Sequence, residues 1–412
     1  MQKTILNRLL LTILLSSFGS VFAQLPEYPY EIKFYDFINY KKNVLKFPGD
    51  SSSFVNFFTK YKNIILKGEG QLEIVHIGGS HIQADIYTNR MRERMQSFYP
   101  GLNGGRGFIF PFKIAKTNNP YNYVVKYTGS WKHCKNVKKK TNCNFGLSGY
   151  QVSTKDSVSE ITIYSRENYP LYDFNKIKIF YNLSDSIGYD VNVLSNSIVA
   201  KTDFPTKHYS EYHLEKYCDT IRIQIVKTDS LEKRFELYGI KSETDDPGII
   251  YDAVGVNGAS IPSFLKCNMF EENIEVIKPD MVILSLGTND AYGTKFNKNI
   301  YKNNYDTLIQ RILNANPNTA IMITVPNDDY LYKKYPNKNT ALQEEVIMEL
   351  AKKYNAAVWD LYEIMGGFNS SQVWYNHHLM KRDRIHFTKE GYMLKGDLFF
   401  NSFIKFYDKI VK

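Results

Sequence analysis

The chain has 412 residues, 43% hydrophobic and 23% charged, which excludes a disordered chain and leaves room for two or three domains. Its 52 Lys and Arg against 42 Asp and Glu give a net charge of +10, which favours an acidic partner such as an anionic wall polymer or lipid headgroups. Four cysteines without CxxC or HExxH spacing give a zinc centre no support, and no motif implies a metal or bound cofactor.

The first residues read as a secretory signal: Lys3 and Arg8 form a positive start, Leu9 to Phe22 is largely apolar, and Val21-Phe22-Ala23 is a small-x-small cleavage site. Removal of residues 1–23 leaves a mature chain from Gln24 with net charge +8, periplasmic or secreted. The apolar run is short for a membrane span, and the absence of a cysteine behind it argues against a lipoprotein anchor. Export makes a nucleic-acid partner improbable, so the basic run Lys132 to Lys140 reads as a solvated loop, with Cys134 and Cys143 spaced to staple it.

"EIKFYDFINYKKNVLKF" has mixed helical periodicity, and "SSSFVNFFTKYKNIILKG" predicts a helix with a serine N-cap. "LEIVHIGGSHIQAD" (Leu72 to Asp85) reads as a buried strand that turns sharply into a helix running over Gln83 to Phe98. From about Pro120 to Glu243, short alternating runs rich in Ile, Val and Tyr predict an antiparallel β domain, with "FELYGIKSETDDPG" carrying the chain out of it. Buried strands then alternate with helices: "MVILSLGTND", "YDTLIQRILNANPN", "AIMITVPND", "ALQEEVIMELAKKYN", "AAVWDLYEI" and a long final helix. The expectation is a three-layer α/β/α fold with a mostly parallel, flavodoxin-like sheet, interrupted in sequence by an antiparallel, sandwich-like β insertion. The predicted division is 1–23 signal peptide, 24–119 first α/β part, 120–245 β insertion, and 246–412 second α/β part.

Ligands of such folds bind outside the carboxyl ends of the strands. There the chain places Gly78-Gly79-Ser80-His81, Asn257-Gly258-Ala259-Ser260, Gly287-Thr288-Asn289-Asp290 and, before the last helix, Asp383-Arg384-Ile385-His386. Each piece alone has an ordinary reading: Ser80 as an N-cap, Gly258 as a turn glycine, Asn289 as a cap. Together, and in this order, they resemble the four blocks of the SGNH (GDSL-type) hydrolase superfamily, over about Leu72 to Phe110 and Tyr251 to the C-terminus. The resemblance implies Ser80 as nucleophile and His386 as base, oriented by Asp383. It further implies Ser80, Gly258 and Asn289 as oxyanion donors. A serine hydroxyl needs an imidazole to take its proton, and that imidazole needs a carboxylate to set its tautomer, so the residue types suit the chemistry. One departure stands out: the family's first block usually reads Gly-Asp-Ser, and here Gly79 precedes Ser80. Loss of that Asp is expected to loosen the turn.

The "GGSHIQAD" block, the "GLNGGRGFIFPF" run and the β insertion resemble the exported peptidoglycan O-acetylesterase branch, in which an inserted domain is similar to a carbohydrate-binding module. The implied function is removal of O-acetyl groups from an extracytoplasmic polysaccharide such as peptidoglycan, with Arg106 and His81 as candidate substrate contacts. The same four blocks also leave open a lipase or phospholipase, an O-acetyltransferase and a noncatalytic glycan-binding relative.

Overall fold

The computed structural model describes residues 32–98, 101–166, 172–184, 188–229, 231 and 233–411. The expected signal peptide and cleavage point lie outside them. Six strands of the described residues form the central sheet: β1 (Leu45–Lys46), β2 (Gln71–Gly78), β3 (Gly248–Gly255), β4 (Met281–Ser285), β5 (Ala320–Val325) and β6 (Ala357–Asp360). Their spatial order is β1-β6-β5-β4-β2-β3, all parallel except β1, which runs antiparallel to β6. The chain leaves β2 for β3 on one side and then returns to β4 on the other. The carboxyl ends of β2 and β4 therefore form the topological switch point, the expected position of a ligand cleft.

The strands are apolar on both faces because both are covered. Leu72, Ile74, Ile283, Met322 and Trp359 point into one core, with α1 (Ser52–Lys67), α3 (Tyr87–Ser97) and α7 (Lys389–Val411). Val75, Ile77, Val282, Leu284, Ile323 and Val358 point into the other, with α4 (Phe270–Ile277), α5 (Lys298–Ala315) and α6 (Asn339–Tyr354). The α/β layers thus follow the period-2 and helical patterns read from the residues. A four-residue helix, α2 (Ser80–Gln83), stands between β2 and α3.

Three local expectations are corrected. The segment "EIKFYDFINYKKNVLKF" forms a single 3₁₀ turn at Tyr40–Lys42 and then β1, not a long helix. The buried Asn43 explains this: its amide bonds Leu398 O at 3.0 Å and its carbonyl accepts from the Trp359 indole at 3.1 Å, which docks the chain, extended, on the edge of β6. The helix expected over Gln83 to Phe98 is broken after α2 by Asp85, whose φ of 46° is left-handed. The side chain of Asp85 makes this stable by accepting from Thr88, Arg92, Arg106 and Asn122. Finally, "FELYGIKSE" is no exit segment. Phe235–Glu243 is a fully buried inner strand of the β unit.

That unit is antiparallel throughout. A seven-stranded sheet contains Lys132–Lys135, Tyr150–Thr154, Phe174–Tyr181 and Phe235–Glu243, and a four-stranded sheet contains Tyr123–Tyr127, Val158–Ser165, Tyr189–Val193 and Thr220–Lys227. Gly107–Ile109, ahead of the expected boundary, already pairs with Phe235–Glu243. The inward side chains of both sheets belong to the same buried cluster as Val75, Ile77, Val254 and Val256 of the α/β sheet. Cys134 and Cys143 form a disulfide, while Cys218 and Cys267 are free thiols. No helix of the described residues is long and apolar enough to cross a membrane.

Candidate active site

β2 delivers Ser80 through a turn that has no room for a larger residue at its start. A Cβ on Gly78 would lie 2.3 Å from Ile82 Cγ1 and 2.7 Å from Ser285 O. The turn is closed by Gly79 O, which accepts from the N–H groups of Ile82 and Gln83, both at 3.1 Å, and by Val256 N–H donating to Gly78 O. These bonds hold the corner without the aspartate expected before the serine. Gly79 itself has a negative φ, and a Cβ placed on it would stand 3.4 Å from the Asn289 amide nitrogen.

Ser80 Oγ lies 2.9 Å from His386 Nε2, and His386 Nδ1 lies 2.9 Å from Asp383 Oδ2. The loop before α7 brings the last two together. Lys381 N–H donates to His386 O at 2.7 Å, and the N–H groups of Ile385 and His386 both donate to Asp383 Oδ1. Burial opposes the charge of Asp383. The hydrogen bonds from the His386 ring and from the two backbone N–H groups outweigh it and hold the carboxyl well below its usual range. In this chain of contacts an imidazole can accept a hydroxyl proton while a fixed carboxylate orients it.

The next two loops complete the pocket wall. Gly258 has a φ of 80°, the left-handed region that glycine adopts freely, and open space where a side chain would stand. Among the described residues, neither the Ser80 nor the Gly258 N–H has a protein acceptor. Asn289 gives one amide hydrogen to Ala259 O at 2.9 Å, leaving the other for the cavity. Ser80, Gly258, Asn289, Asp383 and His386 all line one open cavity of about 770 Å³. Four separate stretches of sequence are thus brought to one place.

The other two candidate contacts are elsewhere. Arg106 is buried, with its guanidinium 2.7 Å from Asp85 Oδ2, 3.2 Å from Asn122 Oδ1 and stacked 4.8 Å over the Tyr123 ring, so it does not line the cavity. Its glycine-rich run lies along β3, where Gly104 N–H donates to Ile249 O. This correction has a simple cause: Asp85 is the nearest buried charge, and an arginine there must pair with it. His81 also misses the cavity. Its ring packs nearly parallel to His386 at 5.2 Å, and its Nδ1 is 2.9 Å from Tyr392 Oη. Burial, aided by the charge of Lys395, pushes its pKa well below the usual range, so His81 is a neutral support behind the base.

Gln83 is a site residue that the sequence reading passed over. Fully buried, its Oε1 accepts from the Asn257 N–H at 2.7 Å and from Tyr150 Oη at 2.9 Å, and its amide donates to Asn118 O. It ties the serine helix, the Gly258 loop and the β unit at one point. Its signal was an amide on the buried side of a short helix, visible only once that side is known. Among the described residues, Glu344, Asp360 and Glu363 lie close enough to hold a cation. The Lys46 ammonium stands 2.6 Å from both Asp360 and Glu363 and supplies that charge.

The family model of the GDSL-like Lipase/Acylhydrolase family matches residues 235–394. Over those residues the chain resembles the GDSL-type (SGNH) hydrolases. The match takes in Gly258, Asn289, Asp383 and His386 and begins after Ser80. The match supports a carboxylic ester hydrolase. The fold of the hydrolase is similar to that of a structure described as "Peptidoglycan O-acetylesterase in action", at 19% identity, covering 89% of this chain and 99% of that one with a TM-score of 0.72. The β unit is therefore part of the shared fold. Smaller overlaps occur with a family two carbohydrate esterase from Cellvibrio japonicus (10% identity, 70% of this chain and 100% of that one, TM-score 0.29) and with an acetyl xylan esterase, AlAXEase (20% identity, 36% and 78%, TM-score 0.29). No curated protein sequence matches the hydrolase.

Proposed function

We propose that this hydrolase removes O-acetyl groups from an extracytoplasmic polysaccharide such as peptidoglycan, through an acyl-enzyme formed on Ser80. The observation that carries the reading is the unbroken contact from Ser80 Oγ through His386 to Asp383, 2.9 Å at each step, at the rim of an open cavity. Ser80 Oγ attacks the acetyl carbonyl as its proton passes to His386 Nε2. The oxyanion then accepts from the N–H groups of Ser80 and Gly258 and from the Asn289 amide. Collapse breaks the bond to the sugar oxygen, which leaves with the proton from His386. Water next gives a proton to His386 and its oxygen to the acyl carbon, and acetate departs as Ser80 regains its hydrogen.

Three observations support a polar, exported substrate. The cavity is open rather than an enclosed tunnel, and Asn118, Asn257, Lys381 and Lys389 stand beside Ile86, Ile385 and Phe387 in its lining. The overall fold is like that of a protein described as a peptidoglycan O-acetylesterase. The signal-like start and the Cys134–Cys143 disulfide suit an oxidising compartment.

The test is acetate release by the mature chain from O-acetylated peptidoglycan and from acetylated xylan, with Ser80→Ala alongside. Release from either polymer, reduced by at least about 10³-fold in the variant, is expected. Release that survives Ser80→Ala would overturn the assignment of the nucleophile. Hydrolysis of small esters with none of either polymer would overturn the polysaccharide.

A further inference from the structure

A second cleft, of about 560 Å³, opens beside the catalytic cavity and shares Lys381 and Asp383 with it. Lys333, Arg382 and Arg384 form the rest of its lining. Its only acid, Asp383, is already committed to His386 and two backbone N–H groups. Among the described residues, none of these four cations makes an ion pair.

One of the four, Arg384, is held in place. Arg384, at a φ of 52°, lies between the rings of Tyr330 and Tyr375, 4.9 Å from each. It donates to Gln372 Oε1 at 2.8 Å and to the carbonyls of Lys333 and Arg382. One guanidinium therefore clamps the two loops that carry Lys333 and Arg382. Lys333 is itself left-handed, at a φ of 60°. Concentrating like charges in one cleft is unfavourable unless an anion neutralises them, and a free guanidinium fits a carboxylate in two parallel hydrogen bonds.

We propose that the cleft formed by Lys333, Lys381 and Arg382 is a subsite for a carboxylate carried by the glycan close to the ester being cleaved. The proposal rests on the polysaccharide reading above and narrows it to acidic glycans. Binding there places the neighbouring sugar across Asp383 and His386, with its ester toward Ser80. Arg384 is a positioning residue, fixed by its aromatic neighbours behind the anion.

The experiment measures equilibrium binding of an oligogalacturonate and of a neutral xylo-oligosaccharide of equal length to the full chain carrying Ser80→Ala, so that binding is read without turnover. The acidic oligomer should bind at least tenfold more tightly, and that preference should shrink as salt is raised. Adding Lys333→Glu and Arg382→Glu should abolish the preference. The same charge change at Lys67→Glu and Lys278→Glu, at the amino ends of β2 and β4 and so at the opposite end of the sheet, should retain it. If the charge-reversed chain fails to fold, Lys333→Gln with Arg382→Gln serves the same purpose. Equal affinity for the two oligomers, no binding of either, or equal loss in both pairs of variants would overturn the proposal. Because acetate release is not used, failure of the polysaccharide esterase reading and failure of the subsite are read separately.

Discussion

Asp383 shows how much of the site depends on a single side chain. One oxygen orients His386 and the other closes its own turn, so replacing the carboxylate affects both tautomer and loop. Asp383→Asn should lower kcat on a small ester on the order of 10²–10⁴-fold. It should also change the dependence of stability on pH. The folded pKa of this acid lies below its unfolded value, so its stabilisation is complete above the ordinary aspartate range and is lost as the pH falls through the depressed value. The Tm gap between wild type and Asp383→Asn should thus be largest near neutral pH and close below about pH 4. The site is half-exposed, so the gap at neutral pH should be only about 2 °C. A gap that widened in acid would contradict a hydrogen-bonded carboxylate at Asp383.

At the scale of elements, the site is made by loops at the ends of rigid strands, and what holds those loops together is a small number of buried polar side chains. Gln83 is the most connected of these. Gln83→Leu keeps the helix and the volume but leaves the Asn257 N–H and Tyr150 Oη without their acceptor. The expected result is a loss of about 1–3 kcal/mol in stability and a fall in kcat with little change in KM, because the Gly258 donor is displaced rather than the substrate's outer contacts. An unchanged kcat would mean that the loop is held by Asn118 and Thr117 alone. The β2-turn-α2 unit was legible in "LEIVHIGGSHIQAD" from its apolar strand and paired glycines. The break at Asp85 was not, because nothing local marks a residue as left-handed when distant partners, here Arg106 and Asn122, hold it there.

For the whole molecule, the β unit and the α/β layers share one core. Phe108, Tyr150, Ile240 and Val152 lie in the same buried cluster as Val75, Ile77 and Val256, and Lys241 of the β unit pairs with Glu73 of β2 at 3.0 Å in a buried contact. Excision of residues 107–243 would expose that cluster and strand Glu73, a cost of several kcal/mol from the charge alone. The shortened chain should therefore fail to show a cooperative melt or near-UV circular dichroism. A folded, cooperative product would mean that the two parts are independent domains.

The sequence by itself determined the alternation of strands and helices, the antiparallel texture of the middle third, and the catalytic candidates. Each of these is written in local periodicity or in short motifs whose residue types suit one chemistry. Ser80, Gly258, Asn289, Asp383 and His386 could be named because their four blocks, in this order, resemble those of the SGNH superfamily, and the residue types suit that chemistry. Only the tertiary structure decided which polar residues face the cavity and which are used up in the interior. Arg106 and His81 looked equally available in sequence. Burial beside Asp85 claimed the first, and packing behind His386 claimed the second. The tertiary structure also decided that Lys333 and Arg382, far apart in the chain, would share one cleft whose acid, Asp383, is committed to His386. Long-range pairing of charges depends on which loops the sheet brings together, and no local pattern encodes that.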